Sequence, residues 1–207
     1  TFSVVSGGGT ISGTTLTAVS AGTVKVKYAI TGSGCSDDTT VDIIVNGLPA
    51  VSFSAPANTC PRSTTTLTGA PTGGTFSVVT AGGGTISGTT YTAPATAGTY
   101  TLRYDYTDAN TCTNFTTQPI TVNSKIGLTA MSFSSSTVCV GSTVTAQSTP
   151  TGGTWSVLSG PGTINASTGI ISPTGSTMID VRYIHPGVSG TSCPDTVMGS
   201  ITPLANP

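Results

Sequence analysis

The sequence predicts an all-β protein of tandem β-sandwich repeats, the first of them incomplete. Three observations predict it: a composition poor in helix formers, a block that recurs after 74 and then 79 residues, and short strand-like segments punctuated by turn residues. Of 207 residues 44 are Thr and 27 Gly, whereas Glu is absent and Lys plus Arg number 6. Thr, Val, Ile and Tyr fit a pleated, half-buried surface, and Gly, Pro, Asn and Ser supply turns. The strong helix formers Glu, Lys, Arg, Gln and Met are scarce, so almost no helix is expected.

The recurrence is anchored on Thr1-Phe2-Ser3-Val4-Val5, Thr75-Phe76-Ser77-Val78-Val79 and Thr154-Trp155-Ser156-Val157-Leu158. Gly-Thr-Ile follows each anchor, at Gly9, Gly84 and Gly162, and then a strand ending in a basic residue and Tyr: Lys27-Tyr28, Arg103-Tyr104, Arg182-Tyr183. A late Cys follows each Tyr (Cys35, Cys112, Cys193), and an early Cys precedes two of the anchors by 16 residues (Cys60, Cys139). Whole units recur, not one motif. Their borders are expected at 1–47, 48–123 and 124–207. The early Cys of the first unit would precede Thr1, so residues 1–47 read as the later two-thirds of a repeat that lacks its first strands.

The second unit gives the expected elements in order: strands near Ala50 to Ser54, Thr64 to Gly69, Thr75 to Thr80, Thr85 to Ser87, Thr90 to Thr92, Thr99 to Tyr106 and Phe115 to Val122. Gly, Pro and Asn fill the breaks, as in Ala70-Pro71-Thr72-Gly73-Gly74. Tyr100, Leu102, Tyr104 and Tyr106 alternate, which places one face of their strand inward. About seven short strands with turns every 8 to 12 residues mark an immunoglobulin-like sandwich. The competing β architecture is a continuous β-solenoid, whose rungs are usually shorter than these units. Phe2, Phe76 and Trp155 are expected to fill the cores between the sheets.

On the repeat pattern the five cysteines resolve into Cys60 with Cys112 and Cys139 with Cys193, leaving Cys35 for a partner outside this sequence. A bridge closing about 53 residues stabilises by roughly 4 kcal/mol on the loop-entropy account, which matters for a small core. The alternative is buried free thiols in a cytosolic protein. The connections Asn46 to Pro49 and Asn123 to Gly127 are short. With the fixed φ of Pro49, they predict a semi-rigid row of domains.

Charge excludes several functions. Charged residues make up 6 % of the chain and the net charge is −1, against roughly 25 % charged in ordinary soluble domains. No basic face is expected for nucleic acid or anionic lipid. The longest apolar runs, such as Ile43 to Val45, fall far short of the roughly 18 residues of a span, so no membrane insertion is expected. With no initiator Met, signal peptide or lipidation motif, the chain is expected to be processed or part of something longer.

Catalytic constellations are equally sparse, and no enzyme is expected. The single histidine, His185, stands before Pro186 and reads as a surface turn residue. A glycosidase needs two carboxylates across a cleft, yet the seven acids are scattered Asp residues, none recurring with a partner. No Cys-x-x-Cys or His pair suggests zinc. No cofactor is expected, although Asp37-Asp38 or Asp105 with Asp108 offer hard oxygen ligands for calcium. Gly82-Gly83-Gly84 precedes a Thr-rich strand rather than a helix, which makes it a turn and not a phosphate loop. Asn114-Phe115-Thr116 and Asn165-Ala166-Ser167 match the short N-glycan acceptor pattern.

Taken together, Gly73 to Val78 (Gly-Gly-Thr-Phe-Ser-Val), Ala97 to Tyr104 (Ala-Gly-Thr-Tyr-Thr-Leu-Arg-Tyr), the Cys before the last strand and Ile120 to Val122 give the chain, over its whole length, a texture that resembles the repeats of very large Bacteroidetes cell-surface adhesins, including the gliding-motility adhesins. The resemblance implies secretion, display as a long filament on the cell surface and attachment to surfaces or polysaccharides. It also implies O-glycans on Asp-Thr motifs, here Asp38-Thr39-Thr40 and Asp195-Thr196-Val197, which put Thr39 and Thr196 in corresponding places after a repeat Cys. The leading expectation is an extracellular stalk or filament whose partners are neighbouring repeats or copies of itself. One alternative is a subunit that polymerises by β-strand complementation; another is a carbohydrate-binding accessory module of a secreted enzyme.

Overall fold

The computed structural model describes all residues from Thr1 to Pro207, and it contains strands and no helix. The first repeat supplies β1 (Phe2–Ser6), β2 (Gly9–Ser12), β3 (Thr15–Ala18), β4 (Gly22–Thr31) and β5 (Ser36–Val45). The second supplies β6 (Ser52–Ser54), β7 (Asn58–Thr59), β8 (Thr64–Thr66), β9 (Thr68–Ala70), β10 (Thr75–Val78), β11 (Thr85–Ser87), β12 (Thr90–Thr92), β13 (Gly98–Thr107) and β14 (Thr113–Val122). The third supplies β15 (Ser132–Phe133), β16 (Val144–Gln147), β17 (Thr154–Ser159), β18 (Gly162–Ile164), β19 (Ile170–Pro173), β20 (Ile179–His185) and β21 (Asp195–Ile201). The strands at 85–87 and 90–92 coincide with the expected ones, and β7 is an addition that sequence reading missed.

Each repeat builds the same sheet from its anchor strand and last two strands: β1-β4-β5, β10-β13-β14 with β7 added at its edge, and β17-β20-β21. The opposing strands form β11-β12-β8 with the pair β6-β9 in the second repeat, and β15-β16-β19-β18 in the third. The first repeat has only the hairpin β2-β3 on that side. This is the sandwich-like, tandem immunoglobulin-type arrangement expected from strand number and alternation. The anchor strand carries the same irregularity in two repeats, a register shift between Val4 and Ser6 and between Val157 and Ser159. Gly7 and Gly160 follow it at φ +95° and +97°, where an L side chain would be strained and a Cβ would meet backbone.

The chain falls into two compact units, one of Thr1–Ser54, Leu67–Ser77 and Arg103–Thr117, the other of Ala55–Thr66, Val78–Leu102 and Gln118–Pro207. Their borders cut through the second repeat instead of following the expected repeat borders. In the first unit Phe53, Phe76 and Tyr104 form an aromatic cluster, with Phe76 and Tyr104 rings 4.5 Å apart. In the second, Trp155 and Tyr183 stack at 4.4 Å within a core of Val138, Val144, Ile171, Ile179, Val181 and Ile201. Such offset aromatic pairs add to the stabilisation from burial itself.

Phe76 and Trp155 are buried at 8 % and 7 % exposure. Phe2 is not: it stands 43 % exposed, so its expected core role is corrected. The reason is that the opposing side has only the β2-β3 hairpin, which lies against Val24 and leaves the Phe2 end of the sheet open. His185 is also corrected, from surface turn to buried strand end. The Gly187 N–H donates to Nδ1 and Nε2 lies 3.1 Å from the Thr151 carbonyl. An accepting Nδ1 places the proton on Nε2, which donates to Thr151.

Candidate functional site

Two features stand out, a stapled junction between the second and third repeats and a half-open sheet face on the first. The junction is built in the second unit. β7 pairs in parallel with the last residues of β14, Thr121 with Asn58 and Val122 with Thr59, which brings Cys60 beside the point where the second repeat ends. The chain leaves through Asn123, whose N–H donates to the Thr59 carbonyl. Ser124 then accepts from the Cys193 N–H, and the Ile126 N–H donates to the Cys193 carbonyl. These bonds lay the linker along Cys193, and a disulfide joins Cys60 to Cys193 with Cα atoms 5.6 Å apart.

The expected pairs Cys60–Cys112 and Cys139–Cys193 are therefore corrected, and Cys35, Cys112 and Cys139 are free thiols. The reason lies in strand direction. Cys112 precedes the first residue of β14, whereas Cys60 follows the strand that pairs at its last two. Ten strand residues span about 33 Å, while a disulfide needs Cα atoms within about 7 Å. The third repeat repeats the geometry. Cys193 precedes β21, and Cys139 bridges to Leu204 beyond the end of the same strand. In the second and third repeats the early and late Cys mark opposite ends of the last strand.

Asp195 completes the junction. Its carboxylate accepts from the Lys125 ammonium at 3.1 Å, from the Leu128 N–H at 3.3 Å and from the Thr196 N–H at 3.0 Å. Burial pushes this carboxyl up, but the Lys125 and backbone hydrogen bonds with the Lys125 charge outweigh it and hold the group below its ordinary value of 3.8. A carboxyl depressed on folding stabilises above its unfolded value, and that contribution fades as pH falls through the folded one. Amide protection at Leu128 is thus expected to drop below about pH 4 in the native chain and to be insensitive to pH there in Asp195→Asn, read by hydrogen exchange. Lys125→Ala costs under about 1 kcal/mol, because the side chain is 63 % exposed. Asn114 does the equivalent work before the second repeat, its amide donating to the Pro49 carbonyl and accepting from the Phe115 N–H.

The half-open face lies on β1-β4-β5, buried at Val24 and Val26 and open at the Phe2 and Tyr28 end. Tyr104 and Tyr183 are 1 % and 2 % exposed, and each hydroxyl clasps a Pro-Thr-Gly-Gly segment. Tyr104 donates to the Pro71 carbonyl at 2.5 Å and accepts from the Gly74 N–H at 2.8 Å. Tyr183 donates to the Pro150 carbonyl at 2.9 Å and accepts from the Gly153 N–H at 2.8 Å. Tyr28 holds the same place in the first repeat, stacked on Phe2 at 4.6 Å, yet it is 39 % exposed. A groove of about 220 Å³ opens there, lined by Phe2, Val26, Tyr28, Thr39, Thr40 and Val41.

The register separates the two Asp-Thr motifs. Thr39 lies opposite Tyr28 and so shares the apolar face, whereas Thr196 lies opposite Ile184 while Val197 faces Tyr183. A one-residue offset puts the two threonines on opposite faces of equivalent sheets. Both are exposed. The acids considered for calcium have other partners: Asp38 pairs with Lys27, Asp105 with Arg103, and Asp108 accepts from the Asn110 and Cys112 N–H groups. No group of three or more His, Cys or acidic side chains converges. No helix is long and apolar enough to cross a membrane.

No family model matches the chain, and no curated protein matches it in sequence. Among solved structures it is similar to extracellular cadherin domains 3–6 of protocadherin gamma B2, at 11 % identity and a TM-score of 0.28, over 89 % of this chain and 56 % of that one. Mouse cadherin-23 domains EC22–24 match at 15 % identity and 0.28, over 100 % and 86 %. The C-terminal 282-residue fragment of intimin, solved with the intimin-binding domain of the translocated intimin receptor, matches at 12 % and 0.29, over 87 % and 58 %. The chain thus spans little more than half of the protocadherin and intimin structures. At these scores the likenesses carry no argument, and the architecture rests on the sheets themselves.

Proposed function

We propose that the chain is a spacer of an extracellular, cell-surface protein, a run of stapled sandwiches whose work is to hold an adhesive element away from the cell. The observation that carries this reading is the Cys60–Cys193 bridge, which joins one repeat to the next rather than closing a single one. Disulfides persist in oxidising, extracellular surroundings. Cys139 holds in the third repeat the place of Cys60, and Cys35 and Cys112 hold the place of Cys193, so an array of such repeats would be stapled head to tail. Neighbouring repeats or copies are then the partners. Attachment to polysaccharide belongs to the adhesive element, and O-glycans would sit on Thr196, free of the apolar face, more readily than on Thr39.

The test replaces residues 1–207 in the native polypeptide by an equal number of unrelated sandwich domains, and separately deletes them. Surface attachment is expected to survive replacement and to fall on deletion, and the oxidised chain is expected to capture nothing on a glycan array. Attachment lost on replacement, or a sugar captured by the chain, would make it a binding module instead.

A further inference from the structure

We infer that the cavity beside the staple, between the turn after Cys60 and the linker that follows the second repeat, is a binding site for one carboxylate carried on a small apolar body. The cavity measures about 540 Å³ and is lined by Pro61, Arg62, Ala95, Ala97, Ser124 and Lys125, all in the same compact unit. Two of the chain's six basic residues meet in it, and no acid lines it. Of the six, Lys25, Lys27, Arg103 and Lys125 each pair with an Asp, and Arg182 donates to Ser156. The Arg62 guanidinium alone has neither a hydrogen bond nor an ion pair.

The backbone under Arg62 makes this placement costly. Cys60-Pro61-Arg62-Ser63 is a turn closed by the Ser63 N–H on the Cys60 carbonyl, and Arg62 stands at φ +61°. Pro at the first central position and a positive φ at the second make it a type II turn, which ordinarily takes Gly at that second position. The third repeat does so. Cys139-Val140-Gly141-Ser142 closes on the Cys139 carbonyl with Gly141 at φ +86°, and the Gly141 N–H donates to the Pro173 carbonyl as the Arg62 N–H donates to that of Pro94. The turn therefore needs no side chain here, and one placed here is strained. A strained residue with an unpaired charge on the wall of a cavity points to a ligand.

The lining selects the ligand. Lys125 already shares its charge with Asp195, so a single positive charge, that of Arg62, is left for the ligand to balance, and one carboxylate does so. The planar guanidinium presents two parallel N–H donors that match a carboxylate. Pro61, Ala95 and Ala97 offer apolar walls to whatever carries it, and such walls disfavour a hydroxylated sugar ring, whose polar groups would lose their partners. A free aliphatic acid and the C-terminal carboxylate of a peptide both supply this chemistry. A bound carboxylate ties the Cys60 turn to the linker at Lys125, alongside the disulfide. The site goes beyond the spacer role, which holds or fails without it.

The experiment titrates the oxidised 207-residue chain, nitrogen-labelled for NMR, with butyrate, with acetyl-Ala-Ala-Ala bearing a free C-terminal carboxylate, and with the C-terminal amide of that peptide, following the Arg62 Nε–H and Ser63 amide resonances. Saturable shifts are expected from the carboxylates, with the amide at least about tenfold weaker. Butyrate binding as tightly as the peptide assigns the site to free acids, and a tighter peptide assigns it to chain ends. Arg62→Gly is expected to weaken binding at least about tenfold while the thermal midpoint by circular dichroism is kept or raised, because glycine relieves the turn. Lys125→Ala is expected to weaken binding about threefold. No saturable shift, an amide that binds equally well, or undiminished binding to Arg62→Gly overturns the site. Inorganic phosphate binding as tightly as the carboxylates also overturns it, since the cavity would then read charge alone. So does a midpoint of Arg62→Gly well below the native one, because the side chain would then serve the fold.

Discussion

Tyr183→Ala is expected to destabilise the third repeat by about 4 kcal/mol, whereas Tyr28→Ala, at the same repeat position, is expected to cost under about 1 kcal/mol. Tyr183 is buried against Trp155, and its hydroxyl satisfies the Gly153 N–H and the Pro150 carbonyl. Removing it leaves a cavity beneath the indole and strips two backbone groups of a partner. Tyr28 is partly solvated and holds no such pair, so its loss uncovers little that water does not already reach. Tyr183→Phe separates the two contributions, since it keeps the ring and is expected to cost about 1–2 kcal/mol. Trp155, the chain's one tryptophan, reports urea unfolding of the third repeat in these variants, and far-UV circular dichroism follows Tyr28→Ala. Equal losses for Tyr183→Ala and Tyr28→Ala would mean that the face on β1-β4-β5 is covered in solution.

The contrast also marks what could be read from the sequence. Strands such as β11, β12 and β13 were legible because Gly and Pro punctuate them and because alternation at Leu102 and Tyr104 fixes an inward face within the strand itself. Burial was legible only where the repeat is whole. Phe2 carries the same local signal as Phe76, yet its burial depends on strands tens of residues away in sequence. The tyrosine clasp carries a sequence signal of its own: Pro-Thr-Gly-Gly precedes Phe76 and Trp155 alike, and an Arg-Tyr pair follows each at the same distance. His185 misled because its neighbour Pro186 suggests a turn, while the groups that enclose it, Thr151 and Gly187, come from a loop in the preceding part of the repeat and from the residue past the turn.

The register of the last strand is the other quantity that composition cannot supply. Thr39 and Thr196 share a motif and a distance from a Cys that differs by one residue, and in a strand one residue is the difference between faces. The same strand set the cysteines apart. Spacing alone made Cys60 and Cys112 look like the two ends of a staple, because the second and third repeats each contain one early and one late Cys. A ten-residue β14 between them turns those positions into opposite ends of the sheet, so the nearest partner for an early Cys is the late Cys of the following repeat.

That reassignment yields the other large expected effect. Reducing the bridge, or Cys60→Ser, is expected to lower stability by up to about 5 kcal/mol on the loop-entropy account, for a separation of 133 residues. A Cys60–Cys112 bridge closing about 53 residues would give nearly the same figure, since loop entropy changes by only about 0.6 kcal/mol per doubling. Stability therefore cannot tell which pair is joined, and the mapping must be direct. Digestion of the unreduced chain followed by mass spectrometry is expected to give one crosslinked peptide that contains Cys60 and Cys193, with Cys35, Cys112 and Cys139 open to alkylation. A Cys60–Cys112 peptide would return the staple to a single repeat. The junction at Ser124 to Leu128 would then be held by its backbone bonds to Cys193 and by Asp195 alone, and the head-to-tail reading of the array would fall with it.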